Sequence, residues 1–137
     1  MELADNALTP GIYNALREAV GWSAYPVSQA QSALKARALN VVAFSEEGPV
    51  AMGSMIGDGI YYLLVDIVVA PRCQGTGIGT AIIERLIQTA RNSLSAGERC
   101  SVQLVAAQGK EAFYKKFGFA EIPDRKSGHG MQLALNR

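Results

Sequence analysis

The sequence predicts one mixed α/β domain, with a mostly antiparallel sheet and a single parallel crossover. Three observations predict it: apolar residues at helical spacing near the start, strand-like runs joined by short turns, and a long amphipathic segment between two further strands. Hairpin turns join antiparallel strands, whereas a strand–helix–strand unit makes a parallel pair. The 137 residues suffice for one domain over residues 1–137 with a core of its own.

Two helices are predicted in the first part of the chain. Thr9-Pro10 is typical of a helix start, and apolar residues follow at helical spacing up to Gly21. Ser28 is expected to cap a second helix over residues 28–38, whose apolar residues share one face.

Three strands are predicted next, over residues 41–44, 50–56 and 60–69. Short separators that contain Gly, Pro and Asp join them, and such turns favour antiparallel hairpins. Residues 2–3 and 119–122 are further candidates for short strands. These runs supply the antiparallel part of the predicted sheet.

The spacing of the apolar residues then changes from alternation to a helical period. A long amphipathic helix is predicted over residues 78–94, ending at Gly97. Alternating apolar residues predict a strand over residues 102–106 and a last strand over residues 131–135. A short helix is predicted between them, over residues 111–117, ending at Gly118. The strands on either side of the long helix are expected to form the parallel pair.

Composition and charge argue against several classes of protein. The 13 Lys and Arg residues nearly balance the 12 Asp and Glu residues, and a net charge of +1 gives no sign of nucleic-acid binding. The chain has two cysteines, Cys73 and Cys100, and one histidine, His129. These are too few and too far apart in the sequence to predict a metal site or a disulfide framework. No secretory signal or membrane-spanning apolar stretch is visible, and we expect a soluble, cytoplasmic protein without a membrane partner.

The strongest chemical signal is QGTGIGT at residues 74–80, between the third strand and the long helix. Three glycines in five positions let the backbone approach an anion closely, and the helix that begins there offers unpaired N–H groups. A glycine-rich loop that merely makes a tight turn is the other explanation. The spacing lacks the lysine of a P-loop and departs from the GxGxxG of dinucleotide-binding folds, which weakens both of those interpretations.

Two motifs resemble those of the GCN5-related N-acetyltransferase (GNAT) family. Gln74, Gly77 and Gly79 match its Q/R-x-x-G-x-G/A signature, and AFYKKFGF at residues 112–119 looks like a second family motif. Their order and separation also agree with the family. The resemblance implies a sheet with helices on both faces, and an enzyme that moves the acetyl group of acetyl-CoA to a primary amine by direct transfer in a ternary complex.

The resemblance also implies which residues hold acetyl-CoA. A stretch of the third long strand would pair with the pantetheine arm, and the glycine turn would bind the pyrophosphate. These residues are Ile67, Val68, Val69, Gln74, Gly75, Thr76, Gly77, Ile78, Gly79 and Thr80. Lys116 is a further candidate for a contact to the phosphates, with a solvated side chain as the alternative.

Candidates for catalysis and acceptor binding come from the motif and from the residues themselves. Tyr114 matches the position of the family's usual general acid, and a phenol is protonated at neutral pH. Asp66 interrupts an otherwise apolar strand, so it is either a general base or part of a structural ion pair. Trp22 and Tyr25 lie where the family usually lines its acceptor pocket, and plain packing explains them equally well.

The leading interpretation is therefore an acetyl-CoA-dependent N-acetyltransferase. The alternative is a non-catalytic module of the same fold that binds or senses acyl-CoA. A small-molecule amine is the expected acceptor, with a protein amine as the alternative, and a homodimer formed through the last strand stays open. The sequence leaves the acceptor's identity and the length of the acyl group undetermined.

Overall fold

A computed structural model describes all 137 residues as two compact units, Met1–Val105 and Ala106–Arg137. The first unit holds a five-stranded sheet and three α-helices, and the second holds one short helix. The single domain predicted over residues 1–137 stays a prediction.

The first unit contains the strands β1 (Glu2–Asp5), β2 (Leu39–Ser45), β3 (Gly48–Gly57), β4 (Tyr61–Val69) and β5 (Ser101–Leu104). Its helices are α1 (Pro10–Ala19), α2 (Val27–Lys35) and α3 (Ile78–Asn92), with a short 3-10 turn at Pro71–Cys73. The second unit contains α4 (Glu111–Lys115). None of these helices has the length and hydropathy that crossing a bilayer requires.

The strands follow one another across the sheet in chain order, β1-β2-β3-β4-β5. The first four strands pair antiparallel, as their short connections require, and β5 pairs parallel with β4 after the crossover through α3. The predicted fold class, a mostly antiparallel mixed sheet with one parallel pair, is confirmed.

One face of the sheet packs against α1 and α2. The core on this side consists of Leu8, Tyr13, Leu16, Ala30, Leu34, Val42, Met52 and Val68. The helical members are spaced three or four residues apart, so they form one apolar stripe on each helix. Burial of each large apolar side chain contributes about 1.5–3 kcal/mol, which holds both helices against the strands.

The other face of the sheet packs against α3. Gly53 follows Met52 in β3 and therefore points to the opposite side. A Cβ atom at Gly53 would lie 2.6 Å from Cγ2 of Ile82 and 3.3 Å from Cδ1 of Leu86, so α3 lies directly on the backbone of β3. Helices thus cover both faces, as expected.

The sequence predicts the start of α1 correctly and the start of α2 incorrectly. Thr9 accepts a hydrogen bond from the Ile12 N–H at 3.2 Å and caps α1, as predicted. The predicted cap of α2 is wrong: the helix begins at Val27 and has no side-chain cap. Pro26 supplies the fixed φ that precedes the first turn, and Ser28 lies inside the helix, where a capping backbone conformation is not available.

Three predictions towards the C-terminus, one helix end and two strands, are also wrong. α3 ends at Asn92 and not near Gly97, because the Ser93 hydroxyl donates to the Ala90 carbonyl and competes with the helix ladder. The strands predicted at residues 119–122 and 131–135 are absent. A strand needs a paired neighbour, and the second unit contains no other strand that could supply one.

Candidate active site

The centre of β4 contains a β-bulge. The register pairs that flank it are Met52–Val68 and Ser54–Val65, so β4 has one residue more than β3 at this point. Asp66 lies in the bulge with a φ of 54°, in the left-handed region that aspartate tolerates better than most residues. The bulge takes Asp66 out of the alternation of the strand and turns its side chain towards α1.

The Asp66 carboxylate accepts three hydrogen bonds from side chains of this unit. Its Oδ1 accepts from Nη1 of Arg17 at 2.8 Å. Its Oδ2 accepts from the Tyr13 hydroxyl at 2.8 Å and from Nη1 of Arg37 at 3.1 Å. The three charged side chains are only 14%, 8% and 11% exposed for Arg17, Arg37 and Asp66, so two guanidinium groups share one carboxylate away from bulk water.

Three aromatic rings surround Arg17. Its Cζ lies 5.6 Å, 5.2 Å and 4.7 Å from the ring centroids of Tyr13, Trp22 and Tyr25, within the range of cation–π attraction. Its Nε donates to the Ser23 carbonyl at 2.8 Å. The structure thus brings the sequence-predicted Trp22 and Tyr25 together around an arginine that sequence reasoning did not select.

A cavity of about 370 Å³ lies between α1, α2 and the strands β3 and β4. Its polar lining includes Tyr13, Tyr25, Arg37 and Asp66, and Ile56 contributes to the apolar wall. Tyr25 therefore lines the cavity, and its predicted role in acceptor binding stays a prediction. Trp22 contacts Arg17 but is not one of the lining residues.

The Tyr13 phenol is held in its protonated form. Burial raises its pKa above the ordinary value of 10.0, and the charge of Asp66 and the hydrogen bond to it raise the pKa further. The two nearby arginines, Arg37 and Arg17, lower it in part. The Tyr13 hydroxyl therefore keeps its proton and donates a hydrogen bond to Asp66 throughout the neutral pH range.

The glycine turn leads from β4 into α3. Gly75 and Gly77 have φ angles of 77° and 86°, in the left-handed region that glycine adopts without strain. A Cβ atom at either position would have no neighbour within 4 Å, so both glycines border open space. Gly77 is the N-cap of α3 and provides no side-chain hydrogen bond, which leaves the first N–H groups of the helix uncapped.

The polar side chains of the turn fold back onto the chain. Nε2 of Gln74 donates to the Val69 carbonyl at 3.0 Å, and the Thr76 hydroxyl donates to the Cys73 carbonyl. The outer surface of the turn is therefore left to glycine and backbone. This arrangement suits an anion that binds to main-chain N–H groups.

One edge of β4 is unpaired beyond Leu64, where its pairing with β5 ends. The Ala70 N–H donates to the Val50 carbonyl of β3 at 2.8 Å. Because facing pairs alternate in an antiparallel ladder, Val68 is also turned towards β3, whereas Val69 is turned towards the open edge. Among the predicted pantetheine contacts, Val69 thus directs its N–H to the open edge, where its carbonyl already accepts from Gln74, and Val68 does not face that edge.

The second unit carries Tyr114 on α4. Its ring packs edge-on against Phe113 and Phe119, with centroids 5.1 Å and 6.0 Å away. Burial raises the pKa of the Tyr114 phenol above its ordinary value of 10.0. The ammonium of Lys116 lies 6.0 Å from the Phe113 ring centroid, and Lys115 pairs with Glu121 at 2.9 Å.

Sequence reasoning missed three residues of the cluster around Asp66. Tyr13 and Arg17 are four residues apart on α1, so they lie on one face of the helix. Arg37 follows α2 directly. An arginine in register with the apolar stripe of α1 is the only local signal that could have found this cluster.

A family model described as "Acetyltransferase (GNAT) domain" matches residues 36–121, which is more than half of the chain. The chain belongs to the GNAT acetyltransferase family. This confirms the resemblance found in the sequence.

Curated relatives of this GNAT chain carry matching names. Serotonin N-acetyltransferase 2, chloroplastic, from Oryza sativa is 38% identical over 81 residues, which are 58% of this chain and 38% of that protein. GCN5-related N-acetyltransferase 1, chloroplastic, from Arabidopsis thaliana is 35% identical over 81 residues, which are 58% of this chain and 39% of that protein. The chain thus spans about two fifths of the length of these two relatives.

Solved structures of GNAT proteins share the fold. A probable acetyltransferase from meticillin-resistant Staphylococcus aureus superimposes with a TM-score of 0.84 and 27% identity over 98% of both chains. A GNAT family acetyltransferase from Streptococcus pneumoniae superimposes with a TM-score of 0.78 over 99% of this chain and 98% of that one. The second likeness, at 24% identity, is one of fold alone.

Proposed function

We propose that this GNAT domain is an acetyl-CoA-dependent N-acetyltransferase that moves an acetyl group to a primary amine by direct transfer in a ternary complex. The observation that carries the proposal is the glycine turn, where two left-handed glycines border open space at the uncapped N-terminus of a 15-residue helix. A helix end of this kind favours a pyrophosphate through its N–H groups and its dipole.

The donor would be held by two consecutive parts of the first unit. Backbone groups at the open edge of β4, those of Val69 first, would bind the pantetheine arm. Main-chain N–H groups of residues 75–80 would bind the pyrophosphate. Bound acetyl-CoA supplies a thioester, whose carbonyl carbon accepts the amine. Lys116 as a phosphate contact stays a prediction.

Side chains of this protein are proposed to carry out the two proton transfers, one from the amine and one to the thiolate. The amine nitrogen forms a bond to the acetyl carbon and loses a proton, while the carbon–sulfur bond breaks and the thiolate gains one. Tyr114 is proposed to give that proton to the sulfur, because its raised pKa keeps the phenol protonated at neutral pH.

Asp66 as the general base also stays a prediction. Its two oxygens already accept from Arg17, Arg37 and Tyr13, so about one of the roughly four lone-pair sites of the carboxylate is left for a proton from the amine. These contacts favour the ion-pair alternative. If Asp66 is the base, folded Asp66→Asn should lose turnover mainly at low pH, where the acceptor is an ammonium ion, and regain part of it at high pH. An unchanged pH–rate profile rules the base role out.

An amine acceptor also agrees with the names of the relatives, one of which is named for serotonin. A small amine fits the cavity beside β4, and a protein amine and a homodimer stay open predictions. The cytoplasmic location predicted from the sequence is likewise untested.

The proposal is tested by two measurements on the whole chain. Calorimetry measures the affinity for acetyl-CoA, and a colorimetric thiol assay measures CoA release with a panel of amines. Binding followed by amine-dependent thiol release supports the enzyme. Binding without release from any amine would instead identify a non-catalytic acyl-CoA-binding module.

A further inference from the structure

We propose that the acceptor amine of this enzyme carries an anionic group, a carboxylate or a phosphate, and that Arg37 binds this group in the cavity between α1, α2 and β4. The inference rests on the proposed function and adds the substrate class to it. Its basis is the balance of charge around Asp66 and the unused donors of one guanidinium.

The charges of the cluster do not cancel. Arg17 and Arg37 both pair with Asp66, and no other acidic side chain pairs with either arginine. Two positive charges against one negative charge leave a net charge of +1 among side chains that are at most 14% exposed. A buried charge is costly unless it is paired, so the cluster is complementary to one further negative charge.

The two arginines differ in how completely they are bonded. Arg17 donates through Nε and Nη1, and three aromatic rings surround it. Arg37 donates from Nη1 to Asp66, and its guanidinium also lies against Tyr13, whose ring centroid is 5.9 Å from its Cζ. Its side chain is 8% exposed and lines the cavity, which leaves N–H groups of its planar fork free for a ligand there. Such a fork matches a carboxylate or a phosphate, which can accept two parallel hydrogen bonds.

The cavity has the size and lining for a small anionic amine. Its volume of about 370 Å³ is at the lower end of the range for small-molecule sites. Ala33, Ile56 and Val65 supply apolar surface for the middle of such a molecule. Asp66 also lines the cavity and lies three residues before Val69, or about 10 Å along a strand. An acceptor anchored at Arg37 would thus lie beside the stretch of β4 that is proposed to bind the donor.

An amine without an anionic group fits this cavity poorly. It would bring no acceptor for the Arg37 fork, and as an ammonium ion it would add a positive charge beside a cluster that already has one in excess. Sites built to hydrogen-bond a polar group discriminate strongly against analogues that lack it. We expect a preference of about 100-fold or more in kcat/KM for the anionic member of a matched pair of amines.

The test compares matched pairs of acceptors in the thiol-release assay. One pair is phenylalanine and phenethylamine, a second is β-alanine and ethylamine, and a third is phosphoethanolamine and ethanolamine. The preferred pair shows whether the anion is a carboxylate or a phosphate. Equal rates within every pair, or faster reaction of the amines without an anion, would overturn the proposal.

Variants show whether Arg37 is responsible. Arg37→Gln should abolish the preference within a pair, and Arg37→Lys should leave an intermediate preference because it keeps the charge but loses the fork. Lys35→Gln removes the same charge from an exposed position of α2 and should keep the wild-type preference. A merely structural role of Arg37 would lower both rates of a pair equally, and an unchanged ratio in Arg37→Gln contradicts the proposal.

Calorimetry with the acceptors alone separates this proposal from the proposed function. If no amine releases thiol, the catalytic proposal fails. The Arg37 proposal then requires that the anionic amine bind the wild type at least about 100-fold more tightly than its partner, and that Arg37→Gln lose this difference. Equal or absent binding of the two would overturn it.

Discussion

The cluster around Asp66 makes a sharp prediction for stability. Asp66→Asn removes the only negative charge that compensates Arg17 and Arg37 in the first unit's interior. The amide oxygen of asparagine can still accept hydrogen bonds. The amide NH2 takes the place of the other carboxylate oxygen, cannot accept, and faces the N–H or O–H groups that donated to that oxygen. Asparagine also tolerates a φ of 54°, so the change tests the charge and not the backbone.

The cost follows from the burial of the cluster. Removing one partner of a buried ion pair costs about 3–5 kcal/mol, because a charge is left without compensation. The side chains are 8–14% exposed and retain some hydration, so we expect the lower end of this range, about 3 kcal/mol. For a chain of this length, that corresponds to a fall in Tm of about 10 °C.

Thermal and urea unfolding followed by circular dichroism measure this change. The matched control is Asp5→Asn, which breaks the pair between Asp5 and Arg85 on the exposed surface. Exposed pairs contribute at most about 1 kcal/mol, so the control should lose no more than that. An Asp66→Asn variant as stable as the Asp5→Asn control would refute the reasoning that the cluster holds α1 and β4 together.

Three further predictions concern the glycine turn and the phenols of Tyr13 and Tyr114. Gly77→Val should abolish acetyl-CoA binding in calorimetry, while Gly97→Val, with a φ of 84° against 86°, carries the same strain and should bind normally. Tyr114→Phe should lower kcat by about 10²- to 10⁴-fold at unchanged acetyl-CoA affinity. Tyr13→Phe should be less stable than wild type by about 1.5–3 kcal/mol at neutral pH. Because the pKa of Tyr13 is raised in the folded state, this difference should persist up to pH 10 and shrink as the pH rises further.

Each of these predictions has an outcome that contradicts it. Normal acetyl-CoA affinity in folded Gly77→Val would show that the pyrophosphate does not bind at the turn. A wild-type kcat in Tyr114→Phe, with chemistry rate-limiting, would show that water or another residue protonates the thiolate. A stability difference for Tyr13→Phe that stays constant through high pH would show that the phenol does not titrate above its ordinary value.

Local signals predicted much of the scaffold. Thr9-Pro10 marks the start of α1 because its cap is formed within four residues, and the glycine turn begins α3 where the sequence placed it. The hairpin turns and the crossover helix predicted the directions of the strands. These elements depend on neighbours in the chain, which a sequence displays directly.

Contacts between distant residues were harder to predict. The partners of Asp66 are 53, 49 and 29 residues away, so no spacing rule connects Tyr13, Arg17 and Arg37 to the carboxylate. The last strand failed for a related reason. Its alternation at residues 131–135 is a property of the sequence, whereas pairing is a property of the whole structure.

The bulge sets Asp66, one of the residues that line the cavity, apart from the paired residues of the sheet. Val65 and Val68 keep their partners Ser54 and Met52 on either side of it, so β3 and β4 could pair in the same register without Asp66. Asp66 is therefore one extra residue inserted into an otherwise continuous ladder. A homologue could lose Asp66 without any change in the apolar pattern of β4, provided that Arg17 and Arg37 were lost in the same lineage. If the cavity binds the acceptor as proposed, acceptor choice in this fold can diversify by small coordinated changes while the scaffold stays the same.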